Sequence, residues 1–402
     1  MLGIIDFARK VIHIFRSYGI RGVKTAIDNS CGKTDVIKFY GWTAERTVIP
    51  LDEAQKAEPR EKITVNWVIP DLDVGSGGHM NIFRFISHLE RFGLHNRIYL
   101  YQSTRFESDQ VFRKFLKDHY SSTLNAPEVE AFNSVGSMTY ADATIATGWQ
   151  TAYYVRRYEN TGSKYYFVQD FEPCFYPLGS EYIFAQNTYK FGFRGITAGD
   201  WLKDKLHKEY GMETASFGFS YDKDIYKQFE KKDSAERIFF YARPVTPRRA
   251  FEMGLLALNE IYKKRPDIEV VFAGWDVSNY EIPFKHKDIG TAKLEDLSEI
   301  YADCDICLVM STSNLSLLPL EVMASNSVVA TSYGDNNEWL INEDIAILFE
   351  NDPNDIADKI TYYLDHPELI KEKRQKGLEF ALQTDWEKEA RKVYDFIVKG
   401  QM

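Results

Sequence analysis

Three arginines crowd the segment YARPVTPRRAFEMGLLAL (241–258): Arg243, Arg248 and Arg249. The segment follows an apolar run of strand character and leads into helical spacing, so all three guanidinium groups fall on one strand-to-helix connection. Open α/β sheets bind ligands at that end of a strand. A guanidinium matches phosphate oxygens in shape and charge, and it stabilises the charge that develops when a diphosphate departs. At least one of the three is expected to act on a ligand, while the others are served equally well by solvent or by acids such as Glu252.

A second segment, STSNLSLLPLEVMASNSVVATS (311–332), has the form strand end, polar loop, helix, strand. Pro319 suits a first helical turn, where its missing N–H costs nothing. The free amides of such a turn attract phosphate. Glu321, one turn in, is placed either to accept from a ribose hydroxyl or to complement the helix dipole. In HKDIGTAKLEDLSEIY (286–301), Gly290 to Leu294 form a loop entering a helix. Its backbone suits a base edge and Lys293 a phosphate, or the loop is a plain turn with a surface lysine. A fourth loop carries Gly75, Gly77, Gly78 and His79. A single Gly-rich loop is weak support for nucleotide binding, although small residues such as Gly77 and Gly78 let a substrate approach the backbone.

ITVNWVIP (63–70), the Gly-rich loop and NIFRFISHLERFG read as strand, loop and helix. NRIYLY (96–101), ATIAT (143–147), KYYFVQ (164–169) and GITA (195–198) are further strand candidates. A second series begins at RIFFYAR (237–243) and continues through IEVVFAG (268–274), DICLVM (305–310) and SVVAT (327–331), with helices between them. This alternation predicts an α/β chain of two Rossmann-like domains with a helical N-terminal extension. The expected divisions are 1–60 for the extension, 61–220 with the closing helix and tail 385–402 for the first domain, and 221–384 for the second. A length of 402 residues fits two domains and a remainder, at about 150 residues each.

A formal net charge of −10 argues against a general nucleic-acid binder, so any diphosphate must be met by local positive charge. The four cysteines are too few and scattered for a disulfide framework, and Cys304 and Cys307 sit in a buried-strand pattern that favours packing over metal. Asp71-Leu72-Asp73 and Asp303-Cys304-Asp305 match a metal-binding D-x-D, but no metal site is expected, nor any cofactor besides a nucleotide substrate. No secretory leader or membrane span is read, so the expected location is cytoplasmic. Residues 1–27 carry Ile4, Ile5, Ala8, Ile12 and Phe15 at helical spacing, with five positive charges. Such an arm docks on its own domain, docks on a second subunit of a homodimer, or lies on the inner membrane face near a lipid-linked acceptor.

Segment 311–332 resembles the signature of retaining glycosyltransferases of family 4, which have the GT-B fold of two facing Rossmann-like domains. That family shows two glutamates eight positions apart. Glu321 within LEVMAS matches the second, and Ser313 stands where the first is expected. That departure implies an unusual donor such as a deoxysugar with fewer hydroxyls, and Leu315, Leu317 and Leu318 give the loop apolar character. YARPVTPRR resembles the diphosphate-holding segment, which assigns Arg243 and Arg248 that role, while 290–294 resembles the base-reading loop. YFVQDFEP (166–173) narrows the likeness to rhamnosyltransferases of bacterial cell-surface glycans, among them those of S-layer glycans that use dTDP-β-L-rhamnose. It implies transfer to a rhamnan-type acceptor with retention. Asp170 is the residue implied to position the sugar or acceptor, or else it caps a strand end. Three other readings fit parts of the chain: a non-catalytic nucleotide- or glycan-binding protein on the same fold, a transferase for another nucleotide sugar, and a nucleotide-sugar epimerase or dehydrogenase. The last lacks the dinucleotide fingerprint it needs.

Overall fold

The structure is a computed structural model that describes residues 35–401. The arm at 1–27 lies outside the described residues. The chain forms two compact units, Asp35–Gly218 completed by residues 387–401, and Phe219–Trp386. These breaks lie two residues from the divisions read at 220 and 384, while residues 35–60, read as part of the extension, belong to the first unit.

The first unit is built on seven strands: β1 Thr64–Ile69, β2 His95–Leu100, β3 Glu130–Phe132, β4 Ala141–Ala146, β5 Thr161–Val168, β6 Arg194–Ala198 and β7 Thr214–Phe217. They lie in the order β3-β2-β1-β4-β5-β6-β7, every pair parallel. Helices cover both faces of such a sheet, which explains why all six β1 residues, TVNWVI, are buried rather than alternating. Several polar side chains are buried with it, and some of them pair with one another. Trp67 Nε1 donates to Asn96 Oδ1 at 2.9 Å, and the Asn96 amide donates to Glu90 Oε2 at 2.9 Å. Buried polar atoms without such partners would cost about 1–3 kcal/mol each. Helix Trp386–Lys399 closes this unit, with Tyr394 edge-on to Phe92 at 5.7 Å and the Arg391 guanidinium 3.5 Å from the Phe92 ring centre.

The second unit holds β8 Arg237–Tyr241, β9 Glu269–Ala273, β10 His286–Asp288, β11 Ile306–Leu308, β12 Val328–Ser332 and β13 Ile347–Phe349. Their order is β10-β9-β8-β11-β12-β13, again all parallel. Phe240, Phe251 and Phe272 anchor its core, each buried aromatic worth about 1.5–3 kcal/mol. Helix Phe251–Lys264 lies close on β8, because a Cβ on Gly254 would stand 2.3 Å from the Phe240 ring. Among the described residues no helix is long and apolar enough to cross a membrane.

The fold class is the one read from the sequence, and the differences are local. The helix expected at Asn81 begins at Gly77, so Gly77 and Gly78 are first-turn residues rather than loop. Strand β11 stops at Leu308, two residues before Met310. Strand β10 was not anticipated, since all three of its residues are exposed and polar and an edge strand needs no apolar face.

Candidate active site

Each sheet has its strand order reverse between the first and fourth strands of its unit, and the connections leaving those strands flank a crevice at the carboxyl edge. In the second unit the two strands are β8 and β11. Leu308 pairs with Phe240, so the strands end level with each other. The chain leaves β8 through Ala242–Ala250 with all three arginines, and leaves β11 through Val309–Leu317. A backbone bond joins the two connections, with the Thr312 N–H donating to the Arg248 carbonyl at 2.9 Å. The Thr312 hydroxyl adds a second contact to the same oxygen at 3.3 Å.

The arginine connection folds tightly on itself. Thr246 N–H donates to the Arg243 carbonyl and Arg249 N–H to the Thr246 carbonyl, both at 2.9 Å. A short 3-10 turn, Pro247–Arg249, carries two of the guanidinium groups, and both are half-buried. Ala250 follows at φ +44°, ψ +46° and caps helix Phe251–Lys264. A non-glycine residue in the left-handed region costs about 1–2 kcal/mol, and such strain gathers at functional loops. Arg243 points elsewhere in the same edge. Its Nη1 donates to the Gly274 carbonyl at 3.3 Å, and its guanidinium lies 5.8 Å from the Trp275 ring. Gly274 in turn donates its N–H to the Gly290 carbonyl at 2.7 Å. The three arginines therefore divide: the Arg248 carbonyl, with Arg249 next to it in the turn, is tied to the β11 loop, while the Arg243 side chain reaches Gly274 after β9, the residue whose N–H bonds the Gly290 carbonyl. Lys293 and Leu294 of that loop are exposed, Leu294 by 43%.

In the β11 loop, Ser313 and Leu315 are each 1% exposed. Leu317 is half-buried, and Leu318 opens the helix Leu318–Ala324 with its side chain in the core. Leu318 and Pro319 are both buried in the first turn of that helix. Glu321 is half-buried beside Tyr301, whose phenol is pushed well above its ordinary range first by burial and then by the Glu321 charge. Sequence reasoning missed Asn336, Asn337 and Trp339, which hold this loop from behind. The signal was YGDNNEW, a cluster of turn-forming residues directly after a strand.

In the first unit the matching crevice lies between β1 and β4. Ser76 Oγ meets His79 Nδ1 at 2.8 Å, and His79 Nε2 lies 3.4 Å from the Pro70 carbonyl. That pairing places the imidazole proton on Nε2, and burial holds the ring's pKa below its usual value. Gln169 bridges the β5 end to the Gly-rich turn, donating to the Gly78 carbonyl at 3.0 Å and accepting from Asn81 at 3.2 Å. Asp170 is buried at 9% exposure, and its Oδ1 accepts the Phe171 N–H at 2.8 Å, as a strand-end cap does. Asp73, half of one D-x-D, pairs instead with Arg105 at 2.9 Å. Asp305, from the other, pairs with Lys231 at 2.5 Å.

Glu172 is the second group the sequence reading missed. It is buried, accepts the Trp149 N–H on Oε2 at 2.7 Å and the Tyr166 hydroxyl on Oε1 at 2.6 Å. Burial raises its pKa to about 7 against the pull of those two bonds. A Cβ on Gly148 would stand 3.9 Å from Pro70 and 4.0 Å from Glu172 Oε2, so Glu172 lies where the connections after β1, β4 and β5 meet.

Two family models match the chain in order: "WsaF, N-terminal domain" over residues 81–198 and "WsaF, C-terminal domain" over 236–361. Among curated proteins, the O-antigen biosynthesis protein RfbC of Myxococcus xanthus is 28% identical over 344 residues. That match takes in 84% of this chain but 27% of RfbC, so the chain spans about a quarter of that relative. Among solved structures, sucrose-phosphate synthase from Thermosynechococcus elongatus superposes with a TM-score of 0.62 at 12% identity, over 84% of this chain and 99% of the other. Anabaena HepE, solved with UDP and glucose, gives 0.61 at 13% identity, over 84% and 100%. These likenesses establish the fold as GT-B.

Proposed function

We propose that this chain, which carries both WsaF domains on a GT-B fold, is a glycosyltransferase that moves a sugar from a nucleotide diphosphate onto a cell-surface glycan. L-Rhamnose from dTDP-β-L-rhamnose is the foremost donor and a rhamnan-type chain, lipid-linked or free, the foremost acceptor. The observation that carries the reading is the bond between Thr312 N–H and the Arg248 carbonyl. It fastens a doubly cationic turn to the loop before Pro319 at the crevice where α/β sheets hold nucleotides. Two guanidinium groups there offset the charge of a departing nucleoside diphosphate. Glu321, one turn into the following helix, is the group proposed for a ribose hydroxyl, and the 290–294 loop for the base.

The donor sugar follows from the loop's composition. Ser313 in place of an acidic residue, with Leu317 half-exposed beside it, offers a sugar fewer hydrogen-bond acceptors and more apolar surface, which favours a 6-deoxysugar. The family resemblance supplies the expectation of retention. Arg248 and Arg249, rather than a divalent ion, are proposed to carry the leaving-group charge. In the first unit Asp170 is proposed to orient sugar or acceptor, and the basic arm at 1–27 to bring the enzyme to a membrane surface.

The test is transfer from dTDP-[14C]rhamnose to a synthetic rhamnosyl acceptor in excess EDTA. Full activity is expected. Loss under EDTA with restoration by Mn²⁺ would overturn the metal-free step, and no product under any condition would leave a non-catalytic binding protein on this fold.

A further inference from the structure

Three side chains behind the β11 loop take up its polar groups. Asn336 Nδ2 donates to the Ser313 carbonyl at 2.6 Å and to Asn337 Oδ1 at 2.9 Å. Asn337, fully buried, donates to the Ser332 carbonyl at 2.9 Å and the Ser332 hydroxyl at 3.0 Å, which moors the pair to the end of β12. Trp339 Nε1 donates to Asn314 Oδ1 at 2.7 Å. The seat for Asn336 is built for it. Gly334 stands at φ +134°, and a Cβ there would come within 2.6 Å of Asn336 Oδ1. Any other residue at 334 would displace the amide.

A trans peptide is planar, so its C=O and N–H point in opposite directions. Where the Ser311 carbonyl faces Asn336 at 3.4 Å, the Thr312 N–H of the same peptide faces the other way, onto Arg248. The Ser313 carbonyl is held by Asn336 in the same sense, so the Asn314 N–H of that peptide points away from Asn336. Orientation of these two peptide planes thus depends on side chains well outside the loop.

We infer that Asn336, seated by Gly334 and supported by Asn337 and Trp339, is a positioning residue that sets the peptide planes of loop 311–317 for nucleotide-sugar binding. The inference rests on the proposed transferase reading. Loss of this support is expected to cost about tenfold in donor affinity, the equivalent of about 1.4 kcal/mol. Asn336→Leu keeps the branched shape, removes the donors and adds no charge.

Titration calorimetry with dTDP and dTDP-β-L-rhamnose, alongside melting curves and steady-state kinetics, tests it. The expected result for Asn336→Leu is donor binding weaker by about tenfold and a raised donor KM, with kcat at saturating donor and the acceptor KM held. Gly334→Ala is expected to repeat that pattern, and Trp339→Phe to show a smaller part of it, which keeps the test open if one variant folds poorly. Wild-type binding of both ligands with unchanged binding in folded Asn336→Leu and Gly334→Ala overturns the positioning role alone. Failure of the wild-type protein to bind any nucleoside diphosphate overturns the transferase reading and this inference with it.

Discussion

The two units share a plan and differ in what lines it. Each has its first strand between its second and fourth, and each therefore opens a crevice at the same point of the sheet. In the second unit that crevice is edged by Arg248, Arg249 and a loop of serine, asparagine and leucine. In the first it is edged by a neutral histidine, Gln169, and two buried carboxyl groups at 170 and 172. Topology supplies the place, while residue type chooses the ligand. The second crevice is proposed to take an anion; the first, where the one guanidinium at the turn after β1, that of Arg105, is engaged by the Leu72 carbonyl and Asp73, is proposed to take a polyhydroxyl compound.

The comparison breaks most visibly at Arg248. Arg248→Ala is predicted to lower kcat by about 10²–10³, the usual cost of losing one group that stabilises developing charge, with the acceptor KM little changed. Steady-state rates at saturating donor check it. A loss confined to acceptor KM would mean that the units have been assigned the wrong way round.

The next effect lies in the first unit. Glu172 has its pKa raised to about 7 from an ordinary 4.5, with burial the largest cause. A raised carboxyl favours folding when protonated. Its contribution is therefore complete below pH 4.5 and is lost as pH climbs through 7, a difference of about 3 kcal/mol at most. Glu172→Gln should flatten the fall in melting temperature between pH 5 and pH 8. An identical slope in wild type and variant would show that the carboxyl is ionised throughout.

The smallest effect concerns strain. Ala250 at φ +44° sits in a region that glycine occupies freely. Ala250→Gly is predicted to stabilise the protein by about 1 kcal/mol, read as a raised urea midpoint, while slackening the turn that carries Arg248 and Arg249. A lower midpoint would mean that the alanine methyl contributes packing that outweighs the strain.

Much of this architecture was legible in advance because buried parallel strands leave long apolar runs, as TVNWVI and RIFFY do. The alternation of such runs with helical spacing gave the fold class. Strand β10 left no such trace because HKD is polar and exposed at a sheet edge. The arginine turn was readable for a different reason: three cations on one short connection are conspicuous in an acidic chain. Asn336 and Glu172 were not, since their importance arises from partners far along the chain, Asn336 with Ser313 and Glu172 with Trp149.

The most direct measurement is calorimetric titration of the wild-type protein and an Arg248→Ala/Arg249→Ala double variant with dTDP, UDP, GDP and ADP, with thymidine as the uncharged control. At least one diphosphate is expected to bind the wild type, thymidine to bind far more weakly than dTDP, and the double variant to lose most of the difference. Equal binding of thymidine and dTDP, or undiminished diphosphate binding by the double variant, would contradict a diphosphate site at these arginines.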